Sequence, residues 1–490
     1  MSQGKLKSIT ISGLIWSVID LISKQGIQLI VQIVLARLLL PEHFGLIGMI
    51  TIFIALSTAL VQSGLDQALI REKKPGEEDY STIFYFNLMV SIIIYIILFI
   101  MAPYIALFFE ELQLIKILRV ITLVIIINSL SVIQRVFLIR DLDFKTQTKV
   151  SAISGVVSGV IAIIMAFYGA GVWSLVAQQV IFRATESILL FSSNRWLPSL
   201  KFNIILFKHY FNFGYKLLLS GLIDTFYKNI YSVIIGKVYP ASQLGYFTNA
   251  TKLRDVSSQS ITQAIQKVTY PVLSSIQDDE KRLALNYKRI ITMSAFLFFP
   301  FMLGLVAISP TVIPFLLGEK WIPSVPFFQL LSIAGLLYPI HAINLNILKV
   351  KNRSDLFLYL ELIKKVILTV LIILAFIIGN SIEDLIFALI VQSFFALIIN
   401  TYFSGREINY PLRQQLKDML PSFVNSVIMA LIVYYISSYL TNWIVVNLVI
   451  QIILGVLIYI ALSFVLNKKD FYAMVLILKE NNILHIKRRD

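Results

Sequence analysis

The sequence predicts an all-α polytopic membrane protein with about 14 transmembrane helices. Hydrophobic residues make up 58% of the chain and charged residues only 14%, whereas soluble domains carry roughly 25% charged residues. The mean hydropathy is +0.83. Apolar runs of about 20 residues, the length that crosses a hydrocarbon core of ~30 Å as a helix, recur along the chain. These observations together indicate a multi-pass membrane protein.

Each predicted span is an apolar run that ends at charged or turn-forming residues. Lys5 and Lys7 precede the first run, which is too long for a signal peptide and is followed by no small-residue cleavage site, so we expect an uncleaved first span. The spans are predicted at 11–40, 45–64, 83–109, 117–139, 150–168, 172–192, 211–236, 244–273, 290–317, 326–348, 357–378, 383–403, 420–441 and 444–466.

The basic residues of the loops alternate between the two sides of the membrane. With a cytoplasmic N-terminus, the inner loops collect nearly all loop Lys and Arg, and the outer loops hold only Lys116, Lys237 and Lys320. This pattern predicts that both termini are cytoplasmic. The net charge of +15 is then a topology signal, and no nucleic-acid partner is expected. The absence of cysteine excludes disulfides and thiolate metal sites.

A segment of the chain recurs at an offset of 200 residues. "LARLLLPEHFGLIGMI" (35–50) aligns with "IGKVYPASQLGYFTNA" (235–250), which pairs Gly45 with Gly245. Two similar tight turns are the alternative explanation. Six spans separate the two recurrence points, and two six-helix halves around a cavity are typical of transporters. The predicted domains are an N-terminal six-helix bundle (1–200), a C-terminal six-helix bundle (201–410), two additional helices (411–466) and a basic cytoplasmic tail (467–490).

Polar residues recur at every fourth position of the first span, where Asp20, Lys24, Gln28 and Gln32 form one stripe. The seventh span has the same four-residue spacing of polar residues, with Asp224 and Lys228 among them. An ionisable side chain at bilayer depth costs ~2.5–3.5 kcal/mol or more, so it usually faces a cavity or a partner. The alternative is that each Asp neutralises its own Lys as an i,i+4 pair.

The eighth span is the most polar of the predicted helices. It carries Lys252, Arg254, Asp255 and Gln259 beside a narrow apolar seam. This pattern indicates either the wall of a water-filled cavity or an amphipathic helix on the membrane surface. We favour the cavity wall, because a surface helix would move every later loop to the other side and break the charge alternation.

Basic residues outnumber acidic ones within the spans. A cationic cavity with low-dielectric walls concentrates anions. The guanidinium group of Arg and the ammonium group of Lys both bind phosphate oxygens. The sequence therefore favours an anionic substrate over a cationic drug. The basic set is Lys24, Arg37, Arg135, Arg183, Lys216, Lys228, Lys252, Arg254 and Lys267, against Asp20, Asp66, Glu186, Asp224 and Asp255.

Several segments, in this order, are similar to the polysaccharide transporter branch (Wzx-type flippases) of the multidrug/oligosaccharidyl-lipid/polysaccharide (MOP) exporter superfamily. The resemblance covers about residues 10 to 410. The segments are "LARLLLPEHFGLIGM" (35–49), "GLDQALI" (64–70), "TIFYFNL" (82–88), "VFLIRDLDFKTQT" (136–148), "GAGVWSLVAQQ" (169–179), "LGYFTNATKLRD" (244–255), "YPVLSSIQDD" (270–279) and "LLGEKWIP" (316–323).

The resemblance implies alternating access in the bacterial cytoplasmic membrane. The substrate would be a polyprenyl-diphosphate-linked oligosaccharide, passed from the cytoplasmic to the outer leaflet for cell-surface polysaccharide biosynthesis. Implied partners are the bilayer and the polysaccharide polymerase and glycosyltransferases of the same pathway. No catalytic residue, metal or cofactor is expected, and any coupling would use a proton or Na⁺. Predicted substrate contacts are Lys24, Gln28, Lys228, Lys252, Arg254 and Gln259, with Asp20, Asp224 and Asp255 for coupling or charge pairing.

Two other functions stay open at this point. A multidrug or cation antiporter of the same superfamily would need an acidic cavity and normally has twelve spans. A membrane glycan polymerase or ligase would need a sizeable external loop or paired carboxylates at a membrane face. His341, beside Asn344 in the tenth span, is either a protonatable cavity residue or, as we favour, a helix-packing histidine.

Overall fold

The computed structural model describes residues 23–62, 64–379, 381–436 and 443–476. Throughout these ranges the regular structure is helical, and the predicted all-α membrane fold class is confirmed. Contacts divide the chain into a first unit that ends at Asn249 and a second unit that begins at Ala250.

The first unit contains ten described helices and the start of an eleventh. They are α1 (23–38), α2 (Pro41–Gln62), α3 (Leu65–Arg71), α4 (Glu77–Phe109), α5 (Leu114–Ile121), α6 (Leu123–Leu130), α7 (Val132–Arg140), α8 (Phe144–Phe167), α9 (Val172–Ser193), α10 (Ile204–Val238) and α11 (Ala241–Ser274), which continues into the second unit.

The second unit follows with α12 and its neighbours. They are α12 (Glu280–Leu317), a 3₁₀ helix (Glu319–Ser324), α13 (Val325–Gly335), α14 (Tyr338–Val350), α15 (Ser354–Ile378), α16 (Ile382–Glu407), α17 (Leu412–Ile436), α18 (Ile444–Leu466) and α19 (468–476).

Every predicted span overlaps a described helix or a run of short helices. Within the described ranges, 8 helical segments are long and apolar enough to cross a membrane, or 9 if the pair Leu114–Leu130 and Val132–Arg140, bent by 41°, is one span. The helices α9, α10, α11 and α15 carry charged residues in their interiors and are not among them. The count of fourteen therefore stays a prediction.

Short polar side chains mark where several helices begin. Asp143 accepts a hydrogen bond from the backbone N–H of Thr146 at the start of α8, and Asn203 caps α10 in the same way. Such caps satisfy N–H groups that have no partner inside the helix. Gly64, at φ 70°, precedes α3 in the left-handed conformation that glycine adopts without a steric penalty. These signals place α8 and α10 close to where the sequence predicts them.

The helix α10 packs against α2, α3 and α4 and therefore groups with the first unit. The two predicted six-helix bundles, 1–200 and 201–410, stay a prediction.

A buried polar network lies in the core of the second unit. Tyr287 of α12 donates to the side-chain oxygen of Asn344 of α14, and Ser404 of α16 donates to the same oxygen at 2.5 Å. All three residues are fully buried. Buried polar groups in a membrane bundle need internal partners because lipid supplies none. This network therefore ties three helices together.

Candidate functional site: an intramembrane charged cluster

Two arginines of the first unit converge on one carboxylate. Arg135 Nη2, on α7, lies 3.3 Å from Glu186 Oε2, on α9, and Arg183 Nη1 lies 2.8 Å from the same oxygen. The Glu186 side chain is only 8% exposed, while 23% of Arg135 and 31% of Arg183 remain exposed. Because two cations share one anion, the three side chains together carry a positive charge.

The break between α6 and α7 shapes this cluster. Besides Glu186, Arg135 Nη2 donates to Asn128 Oδ1 at 2.8 Å and to Ser131 Oγ at 3.0 Å. Ser131 lies between the two short helices. A polar side chain close to a helix break is a common means of satisfying freed backbone and side-chain groups within a membrane. The guanidinium of Arg135 is thereby held in one place.

Two further charges lie within electrostatic range. Lys24 of α1 interacts with Glu186, and Asp66 of α3 interacts with Arg135. Lys24 is half-buried. With these two included, three cations face two anions, so the cluster keeps one net positive charge. Its contacts join α7 to α9, while Lys24 of α1, one of the predicted site residues, and Asp66 of α3 act on it through their charges.

The polar stripe of α1 also reaches α11. Gln32 Nε2 donates to Asn249 Oδ1 at 2.7 Å, within the first unit. Gln28, one turn earlier, is exposed. Asp20 lies outside the described residues, so its role stays a prediction.

The charged residues of α10 are placed differently. Asp224 is half-buried and has an interaction partner, whereas Lys228, one turn later, is exposed. Their proposed roles in substrate contact and charge pairing stay predictions.

On α11, the predicted contacts divide into a buried and an exposed set. Arg254 is 7% exposed; its Nε lies 2.7 Å from Asp255 Oδ1, and its Nη1 donates to Tyr338 Oη at 2.9 Å. Lys252 and Gln259 are exposed. Arg254 is thus tied to α14.

His341 has the environment of a packing residue. Ser393 Oγ donates to the carbonyl of Ala334 at 3.0 Å, so its single proton is committed. His341 Nε2 lies 3.2 Å from the same oxygen and must therefore be the donor. This hydrogen bond joins α14 to α16, as the helix-packing interpretation expects.

Sequence reasoning counted Arg135, Arg183 and Glu186 as intramembrane charges but did not join them into a site. Arg183 and Glu186 are i,i+3 neighbours, a spacing at which helical side chains meet. That signal was available in the sequence. The contact of Arg135 with Glu186 depends on the packing of α7 beside α9. No local sequence pattern encodes that packing.

Comparison with known families identifies the fold. The family described as "polysaccharide biosynthesis protein" matches residues 34–326. The chain belongs to this family. The resemblance to polysaccharide transporters found in the sequence is confirmed.

Curated relatives of this family member are distant in sequence. Teichuronic acid biosynthesis protein TuaB of Bacillus subtilis (strain 168) is 26% identical over 61% of this chain and 62% of its own length, so the chain spans less than two thirds of that relative. Lipopolysaccharide biosynthesis protein WzxC of Escherichia coli (strain K12) is 23% identical over 81% of this chain and 80% of its own. Both are named for polysaccharide biosynthesis.

Solved structures show the same fold. The lipid II flippase MurJ, in an inward closed conformation, matches with a TM-score of 0.75 at 17% identity and covers 92% of this chain and 98% of MurJ. An inward-facing multidrug resistance transporter of the MATE family, in the MOP superfamily, matches with a TM-score of 0.61 at 15% identity. The match covers 82% of this chain and 99% of that transporter. This chain therefore has the fold of MOP-superfamily transporters.

Proposed function

We propose that the protein is a flippase that moves polyprenyl-diphosphate-linked oligosaccharides from the cytoplasmic to the outer leaflet. It would act by alternating access in the bacterial cytoplasmic membrane, with both termini in the cytoplasm, and supply cell-surface polysaccharide biosynthesis. The polymerase and glycosyltransferases of that pathway would be its functional partners. The family match and the MOP-type fold support a transport role in polysaccharide biosynthesis.

The observation that carries the proposal is the net positive cluster around Glu186. Arg135 and Arg183 share one carboxylate oxygen and remain partly exposed. A guanidinium has five N–H donors in a fixed fork, so each arginine keeps donors for phosphate oxygens. A diphosphate bound at this cluster would meet two guanidinium groups, with the Lys24 ammonium within electrostatic range of Glu186.

The head group must travel beyond this cluster. Gln28, Lys228, Lys252 and Gln259 are exposed polar residues, and we assign to them contacts with the diphosphate and the sugars. Arg254 would contribute through the position of α11, since Tyr338 holds its guanidinium. Asp20, Asp224 and Asp255 are the candidates for proton or Na⁺ coupling.

Transbilayer movement in proteoliposomes tests the function. The assay follows a polyprenyl-diphosphate oligosaccharide with the native chain and with Arg183→Ala, Lys24→Ala, Lys228→Ala and Lys252→Ala. We expect Arg183→Ala to slow movement about tenfold or more, the order of one charge-assisted hydrogen bond. Arg119→Ala is the matched control, because that guanidinium stacks over Phe99, 4.3 Å from the ring centre, and contacts no carboxylate of the described residues.

The outcomes separate the alternatives. If folded cluster variants move the lipid as fast as the native chain, the cluster is structural and the site assignment is wrong. If the native chain moves no lipid but exchanges a cationic drug for protons or Na⁺, the antiporter alternative replaces the flippase. Covalent extension of the glycan by the purified chain would instead support a polymerase or ligase.

A further inference from the structure

A groove runs along one side of α9 at the end that the charge alternation predicts to be cytoplasmic. Its volume is about 580 Å³, and it is wide open to the surroundings. The lining residues are Leu130 of α6, Ser187, Ile188, Phe191 and Ser192 of α9, and Arg195 just beyond that helix.

The surface of the groove is apolar along most of its length. Ile188 is 65% exposed, and Phe191 forms part of the same wall. The small side chains of Ser187 and Ser192 leave the depression between the larger ones, and the Ser192 hydroxyl donates to the carbonyl of Ile188 at 2.9 Å. Because that polar group is satisfied within the helix, the groove offers hydrocarbon contacts to a ligand.

A basic residue stands at the end of the groove. Arg195 is exposed, and within the described part of the chain no carboxylate pairs with it. Next to it, Leu197 is 71% exposed and Leu200 is 94% exposed. A segment that alternates exposed leucines with basic residues is suited to the boundary between acyl chains and head groups.

That segment is held in a fixed position by the first unit. Trp196 packs beside Tyr80, with ring centres 6.2 Å apart. The Ser199 backbone N–H donates to Ser81 Oγ at 2.9 Å. Since these contacts anchor it beneath α4, the exposed leucines and Arg195 keep their orientation.

The length of the groove corresponds to one leaflet. From Ser187 to the end of α9 at Ser193 the helix rises about 9 Å, and the two residues that lead from there to Arg195 add at most about 7 Å. Half of a ~30 Å hydrocarbon core is about 15 Å. A lipid whose head group lies at the level of Arg195 would therefore place its chain along the whole groove.

We propose that this groove binds one acyl chain of an anionic phospholipid of the cytoplasmic leaflet, with the lipid phosphate on Arg195. The single guanidinium matches the single charge of a phosphodiester, whereas a diphosphate would call for more than one cation, as the cluster around Glu186 provides. The open side of the groove gives access to the most abundant lipids of the bilayer. None of the residues that line the groove is among the residues assigned to the transported head group.

Native mass spectrometry of the purified full chain tests the site. The chain is titrated with phosphatidylglycerol and phosphatidylcholine of identical acyl chains, and in a separate arm with polyprenyl diphosphate. We expect the native chain to retain one phosphatidylglycerol about fivefold more tightly than phosphatidylcholine, the order of one basic residue at an anionic membrane surface. Arg195→Gln should abolish this preference. Ser192→Trp, which fills the groove, should remove one bound lipid of either kind.

The matched control is Lys208→Gln, an exposed basic residue of α10 on the same predicted side, which should bind like the native chain. Thermal unfolding of each variant confirms that it is folded. The proposal is overturned if Arg195→Gln keeps the preference, or if Ser192→Trp retains every lipid. It is equally overturned if polyprenyl diphosphate displaces phosphatidylglycerol from the native chain at equal concentration, because the groove would then belong to the transported lipid.

Discussion

Gly45 of α2 lies directly against the backbone of Ala241 at the start of α11: a Cβ atom at position 45 would come within 1.7 Å of the Ala241 carbonyl oxygen. The contact is reciprocal. A Cβ atom at Gly245 would come within 1.9 Å of the carbonyl oxygen of Pro41. Small residues let helix backbones approach this closely within a membrane. The two turns that align in the sequence are thus packed on each other.

Gly45→Ala should destabilise the protein, because its methyl group would overlap the backbone of Ala241 and force α2 and α11 apart. Overpacking of this kind costs about 1–3 kcal/mol and occasionally more. Thermal unfolding of the detergent-purified chain would show a lower midpoint. Gly221→Ala is the control, since nothing lies within 4 Å of a Cβ there; it should leave stability unchanged or raise it by roughly 0.5–1 kcal/mol. Equal midpoints for the two variants would contradict the close contact.

The offset of 200 residues predicted that Gly45 and Gly245 are equivalent, but it did not predict that their turns touch. An internal repeat indicates similar structure at two places and carries no information on their distance. The apolar runs predicted helices where the structure has them, because they depend on local composition, whereas the sidedness indicated by the charge alternation stays a prediction. Contacts between helices depend on side-chain shape across distant segments.

Glu186→Ala should cost about 3 kcal/mol or more, since it leaves Arg135 and Arg183 without their shared anion in a largely buried setting. The measurement is chemical or thermal unfolding in detergent. Glu280→Ala is the comparison: its carboxylate is 74% exposed and lies 3.6 Å from Lys351 Nζ. Exposed pairs of this kind contribute about 0–1 kcal/mol. If both variants lose the same small amount of unfolding free energy, the ion pairs of the Glu186 cluster do not stabilise the fold more than an exposed pair does.

The candidate site shows where sequence reasoning ends. The four-residue spacing of Lys24 and Gln28 along one helix predicted a polar face. Lys24 interacts electrostatically with Glu186. Arg254 stood out equally in the sequence, yet it is buried against α14. A basic residue that faces a cavity and one that binds a tyrosine of another helix share the same local pattern, so only tertiary structure distinguishes them.

Tyr338→Phe should destabilise the second unit, because it removes the oxygen that accepts from Arg254 Nη1. Loss of a hydrogen bond to a charged group costs about 1.5–3 kcal/mol. The exposed Tyr359, on α15, offers Tyr359→Phe as a control with no expected change in the unfolding midpoint. A Tyr338→Phe variant as stable as the native chain would show that α14 does not hold Arg254.

Two adjacent carboxyl groups at the end of α4 should respond to pH in opposite directions. Lys237 Nζ donates to Glu110 Oε1 at 2.7 Å and, by this hydrogen bond and its charge, holds the pKa of Glu110 below the usual range. Burial, with a smaller effect of Glu42, raises the pKa of Glu111. The ionised form is therefore favoured by folding at Glu110 and disfavoured at Glu111.

The signs for stability follow from linkage. Glu110 contributes stability above its unfolded pKa of about 4.3, and that contribution is lost as pH falls through its lower folded pKa. Glu111 reduces stability progressively as pH rises from its unfolded pKa of about 4.3 to its raised folded pKa, and this cost is absent in acid. At pH 7, Glu110→Gln should therefore lower the unfolding midpoint slightly, whereas Glu111→Gln should raise it. Glu111→Gln should approach the native midpoint once pH falls below the unfolded pKa of about 4.3, whereas Glu110→Gln should do so only at a lower pH, below the lowered folded pKa of Glu110. A pH series in which both variants shift the midpoint in the same direction at pH 7 would contradict the opposed environments of these neighbours.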